Sequence, residues 1–282
     1  MLKKLSVILT VLLSGCLSLP AQSAADEKCF SEADWNWREL GKGAQVGYAQ
    51  LPLFGSVQSI SVVRYPMRKL RTFIANDSAA AADSTEALAK RYRALAAING
   101  SYFNVQTLYP VTFVKDDGKQ EGWTTPRELF RTDGMLAIKK GRRLLICASD
   151  TLSYLSFSKG CREAMAAGPV LLKEGREARE QWPGKDKFYD RRHPRTVIGT
   201  TTDGWAYLIV IDGRFPGQGI GTTIPETAEI ARMFGLSDAL NLDGGGSSVL
   251  WTRKYGVISN PYDNRRFDLY GQRIVPNIIY IR

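Results

Sequence analysis

The residues best able to do chemistry stand close together in Asn241-Leu242-Asp243-Gly244-Gly245-Gly246-Ser247-Ser248, between two apolar stretches. One glycine would make a turn there; three imply that something comes close to the backbone. In an extended strand alternate side chains share a face, which puts Asn241 and Asp243 together and Leu240 and Leu242 opposite. Gly244, Gly245 and Gly246 can take positive φ and turn successive backbone N–H groups toward an anion. Ser247 and Ser248 add hydroxyl donors. The competing reading is a glycine-rich hairpin with an Asx-turn at Asp243.

Other segments share this character. Asn99 and Ser101 fall on one face of Asn99-Gly100-Ser101-Tyr102-Phe103-Asn104. Arg195, in His193-Pro194-Arg195-Thr196, opens a strand and has the planar fork that suits phosphate. Asp212 ends a strand in Ile211-Asp212-Gly213-Arg214. His193 is the only histidine, so two-histidine mechanisms and HExxH zinc sites are excluded. Acid and base work then falls to carboxylates: Asp243 first, with Asp212 or Glu226 assisting. Any metal would take oxygen ligands, with Asp243 and Asp212 the candidates for Ca²⁺ or Mg²⁺.

These residues need strands to carry them. Apolar and β-branched patterning predicts strands at 57–65, 70–75, 166–172, 239–242, 248–252 and 278–281. A hairpin is expected from 195–201 and 205–211 through Asp203-Gly204, and another from 135–138 and 142–148. Residues 151–158 read as a further strand. One helix starts at Asp83 or Ser84 and runs to about Leu95. Another has Thr223 and Glu226 as a capping box, Pro225 in its first turn and Gly235 past its end. Residues 106–131 read as a long loop lining the site, and 174–192 as a charged surface loop. Strands without regular βαβ alternation indicate an α+β fold in a single domain.

The first 25 residues read as a secretory signal: Lys3 and Lys4, an apolar run from Leu5 to Leu19, Pro20, then Ser23-Ala24-Ala25 for cleavage. Leu13-Ser14-Gly15-Cys16 offers a lipobox-like alternative with a lipid on Cys16. Residues 26–56 form a lead-in, and 57–282 the domain. The formal charge of +10, in an exported chain, favours anionic envelope polymers and phosphate-bearing substrates over nucleic acid. Cys29, Cys147 and Cys161 permit one disulfide, Cys147–Cys161 being the preferred pair.

In order along the chain, AINGSYFN, AAGPVLL, HPRTVIGTTTDGWAYLIVIDGR, GTTIPETAEIARMFG and ALNLDGGGSSVLW resemble the phosphodiester glycosidase domain family, over roughly 58–282. The resemblance implies strongly curved mixed sheets with packed helices. It also implies a hydrolase that removes a sugar from its anomeric phosphate in a phosphodiester. The matching positions are Asn99, Arg195, Asp212, Glu226, Asn241, Asp243, Ser247 and Ser248. Ser101 departs from the family's usual second glycine. His193 and 174–192 are assigned no family role. The other readings are a phosphoglycan-binding envelope protein without catalysis, and a phosphodiesterase that cuts P–O.

Overall fold

The computed structural model describes residues 19–178, 182 and 186–282. Most of the expected signal segment, with Cys16, lies outside the described residues. The largest sheet has eight strands, in the order Arg38–Gly41, Ala44–Leu53, Ser56–Pro66, Trp205–Ile211, Arg195–Thr200, Asp238–Asn241, Val170–Lys173 and Arg176–Glu177. A five-stranded sheet gathers Ala96–Asn99, Asn277–Ile281 and Thr72–Asn76 with the short strands Leu250–Thr252 and Gly256–Val257. A second five-stranded sheet is built around Gly134–Lys139 and Glu163–Ala167.

The eight-stranded sheet is covered on both faces, and its sequence shows why. In Trp205–Ile211, the side chains of Ala206, Leu208 and Val210 join a core shared with both five-stranded sheets. The intervening Tyr207, Ile209 and Ile211 join a second core with the helix Ile224–Met233. A strand buried on both sides must be apolar at every position, and WAYLIVI is. The helix is held as its sequence indicates: Thr223 accepts from the Glu226 N–H, and the Glu226 side chain accepts from the Thr223 N–H. Gly235, at φ +73°, ends it.

The α+β class is as expected, and the 195–200 and 205–211 hairpin closes through Gly204 at φ +90°. Other expectations are corrected. Every strand pairing among the described residues is antiparallel rather than mixed; the helix Ile224–Met233 does link two strands that run the same way, Trp205–Ile211 and Asp238–Asn241, but Arg195–Thr200 lies between them and pairs antiparallel with both. The 26–56 lead-in is part of the main sheet, since Ala44–Leu53 pairs with Ser56–Pro66 as far as Leu53↔Ser56. The first expected helix spans only Thr85–Arg91, because Arg93 turns left-handed at φ +54° and Leu95 N–H donates to Ile281. Residues 154–157 form a helical turn, not a strand. Cys147 and Cys161 pack on one apolar cluster as free thiols.

Ile198 is fully buried in the shared core. Ile198→Ala is expected to cost about 2–5 kcal/mol by deleting buried methyl groups and leaving a cavity. Urea unfolding should show a lower midpoint at unchanged slope.

Candidate active site

Four strand ends converge: the start of Arg195–Thr200 and the ends of Trp205–Ile211, Asp238–Asn241 and Ala96–Asn99. Asn99, 1% exposed, fastens them. Its Nδ2 donates to the Asp243 carbonyl at 2.7 Å, while its Oδ1 accepts from Thr196 Oγ1 at 2.8 Å and Val249 N at 3.3 Å. Asp243 N–H in turn donates to Gly100 O at 3.1 Å. The main sheet and a five-stranded sheet are thereby joined at the base of Asp243.

Beside this junction lies a cavity of about 250 Å³, lined by Tyr102, Arg131, Phe188, His193, Arg195, Arg214, Asp243, Gly244 to Gly246 and Arg273. A more open cavity of about 640 Å³ near Asp133 and Asp150 has no residue of the glycine motif and no arginine in its lining. Asp243 is the only carboxylate in the smaller cavity's lining. Burial pushes it up to about 6, while Ser247, Arg131, Arg273 and the Gly244 N–H pull it down. Ser247 stands close enough to act on the carboxylate, although its hydroxyl, like that of Ser248, is buried without a well-formed hydrogen bond.

The arginines are held in different ways. Arg131 grips Glu128 and lies over the Tyr102 ring, 3.9 Å from its centroid. Arg273 forks onto Asp263. Arg195, 2% exposed, spends Nε on Thr222 O and Nη2 on the carbonyls of Phe188 and Arg191. Burial lowers it to about 10. Arg214 reaches over Gly245 toward His193.

The three glycines each have a neighbour. A Cβ on Gly244 would stand 2.6 Å from Pro194 O. On Gly246 it would collide with the Asp263–Arg273 ion pair. Gly245 holds φ +61° under the Arg214 guanidinium. The expected three-glycine anion nest is corrected, since only Gly245 has positive φ. Its N–H donates to Pro194 O, and those of Ser247 and Ser248 close a tight 3-10 turn.

The remaining sequence-derived residues sit around the cavity rather than in it. Asn241 donates to Gly168 O, Leu242 O and the Tyr102 hydroxyl. Ser101 is buried on Ala166 O and Thr112. Glu226 is taken up by its capping box and by a forked bond from Arg192, so it lies outside the cavity lining. Asp212 accepts from Ser59, Asn260 N–H and Asn260 Nδ2, and burial raises it to about 6. With those oxygens filled by donors and Asp243 flanked by guanidinium groups, the pair does not fit a divalent cation. Among the described residues no cluster of three or more His, Cys, Asp or Glu side chains is placed to hold one.

Tyr102, Arg131, Phe188, Arg214 and Arg273 were not singled out from the sequence, and His193 was given no role at the site. Tyr102, His193 and Arg214 stand inside the quoted motif segments, whereas Arg131 and Phe188 come from the two stretches read as loops. The Phe188 segment is the short helix Lys187–Asp190, strapped across the cavity by Arg192, Arg195 and a Tyr189 hydroxyl bond to Phe130 O.

An α+β fold with one carboxylate in an arginine-lined cavity is suited to an anionic substrate. Residues 92–282 match the phosphodiester glycosidase family, and the chain belongs to it. The catalytic domain of zebrafish N-acetylglucosamine-1-phosphodiester alpha-N-acetylglucosaminidase, auto-inhibited by its pro-peptide, shares the fold at TM-score 0.67 and 17% identity. That likeness covers 89% of this chain and 85% of the other. A Burkholderia pseudomallei K96243 protein described as exported aligns at TM-score 0.59 and 17% identity, over 81% of this chain and 74% of the other. The SPbeta prophage-derived uncharacterized protein YomE of Bacillus subtilis (strain 168) is 30% identical over 170 residues. These are 57% of this chain but only 24% of that longer relative.

Gly246→Ala should displace the Asp263–Arg273 pair and with it one cation beside Asp243. Hydrolysis of a glycosyl phosphodiester is expected to fall about tenfold or more, in line with loss of a charge-assisted contact. Circular dichroism should show the fold retained.

Proposed function

We propose that the protein is an exported hydrolase that cleaves the sugar C1–O–phosphate bond of a glycosyl phosphodiester in an envelope or extracellular glycan. The observation that carries this reading is the single carboxylate, Asp243, in a small cavity with four arginines in its lining. Breaking the C1–O bond passes through an oxocarbenium-like state. The departing phosphate is stable as an anion, so the second carboxylate that ordinary glycosidases use as general acid is dispensable. What the leaving group needs is positive charge already in place, which arginines supply at no reorganisation cost. Asp243, ionised, takes the proton from the attacking water. Export is supported by the leader-like first 25 residues and by the fold shared with a protein described as exported. Among the described residues no helix is long and apolar enough to cross a membrane.

The direct experiment is hydrolysis of an N-acetylglucosamine 1-phosphodiester in ¹⁸O-water. Label in the sugar supports C–O cleavage. Label in the phosphate identifies a phosphodiesterase, and no product indicates a binding protein. Asp243→Asn should lower kcat roughly 10²–10⁴-fold, the range for loss of a general base.

The pH dependence follows from the raised carboxylate. A base must be ionised, so kcat/KM should fall as pH drops through about 6. Arg131 pulls that value down, so in Arg131→Met the acid limb should move to higher pH. A limb that stays near the ordinary Asp range would remove Asp243 from the role.

A further inference from the structure

Three of the four cavity arginines are already engaged with the protein: Arg131 with Glu128, Arg273 with Asp263, and Arg195 with three backbone carbonyls. Arg214 differs. Among the described residues it has no carboxylate partner. Its guanidinium has Nη2 3.4 Å from His193 Nδ1 and lies 5.0 Å from the Tyr262 ring centroid. Its backbone is left-handed at φ +69°, a conformation that strains a side chain of this size. Local structure fixes that conformation: Arg214 N–H donates to Ile220 O, and a Cβ on neighbouring Gly213 would strike Pro194. This left-handed residue carries an exposed guanidinium, with no carboxylate partner among the described residues, over Gly245 into the cavity lining.

We propose that Arg214 is the residue that grips the phosphate of the bound diester, and that His193 is the positioning residue that aims it. This rests on the glycosyl phosphodiester reading for the identity of the substrate, but not for the identity of the anion-binding group. A guanidinium can only donate, so His193 Nδ1 must be the accepting nitrogen, which leaves the proton on Nε2. Burial and the charges of Arg195, Arg214 and Arg191 lower His193 to about 4. The ring is therefore neutral at neutral pH, adds no repulsion to Arg214, and does not serve there as an acid. Arg195, which the sequence marked for phosphate, lines the same cavity and also fixes the strap that carries Phe188.

The test uses dimethyl phosphate, a singly charged diester with no sugar to hydrolyse. His193 is the only histidine in the chain, so an untagged, ¹⁵N-labelled protein gives one imidazole signal pair. The free protein should show an unprotonated Nδ1 and a protonated Nε2, both shifting saturably with dimethyl phosphate. Arg214→Gly is the informative variant, because glycine suits a left-handed backbone. It should melt at the same temperature or higher, yet bind dimethyl phosphate about 10–100-fold more weakly, as expected for loss of a charge-assisted contact. His193→Asn keeps an accepting oxygen near the Nδ1 position and should retain most of the affinity; His193→Leu should lose it.

Unchanged binding in Arg214→Gly would overturn the assignment. Equal behaviour of the Asn and Leu variants would overturn the role of His193. If dimethyl phosphate binds through Arg214 but no glycosyl phosphodiester is cleaved, the hydrolase reading fails and this inference stands. If cleavage is seen and Arg214→Gly leaves KM unchanged, this inference fails and the hydrolase reading stands.

Discussion

The Asn99 side chain holds the site in register. Its amide reaches the Asp243 carbonyl on one side and Thr196 and Val249 on the other, all within 3.3 Å. Buried amides of this kind are costly unless satisfied, and this one is satisfied only when the two sheets meet at one separation. The position of the Asp243 backbone follows, and so does that of the glycines beyond it. Pro194, Arg214 and the Asp263–Arg273 pair can then close in on the same turn.

The electrostatics of the cavity rest on that geometry. A lone buried carboxylate would be driven toward its neutral form, and four uncompensated guanidiniums would repel one another. The structure divides the task. Glu128 and Asp263 hold two arginines, and backbone carbonyls hold a third. On the Asp243 carboxyl, burial and nearby positive charge act in opposite directions, burial being the larger.

Much of the fold was legible because both-face burial writes itself as unbroken apolar runs, and because caps and turns use specific residues. WAYLIVI, Asp203-Gly204 and Thr223…Glu226 all became what their chemistry indicated. Asn99, Arg195, Asn241 and Asp243 were brought to one junction, yet only Arg195 and Asp243 line its cavity. The sequence could not distinguish a polar residue that meets a ligand from one that supports its neighbour. Asp212 and Glu226, read in the sequence as assisting Asp243, lie outside the cavity lining and accept from Ser59, Asn260, Arg192 and a helix end. Arg131 and Phe188 had no local signal. Their roles depend on where a 3-10 turn and a four-residue helix cross the cavity, which is a matter of long-range packing.

The Glu226 carboxylate serves two structures at once. It completes the first turn of the helix Ile224–Met233, and it anchors Arg192 at the end of the strap that carries Phe188 over the cavity. Fraying of that helical turn and release of the strap are therefore coupled through one side chain. Local opening free energies in proteins attach to such cooperative units rather than to single residues. The entrance to the cavity thus inherits the stability of a helix terminus. Solvent exchange at the amides of Glu226 and Thr227, both bonded to Thr223, becomes a gauge of how firmly that strap is held.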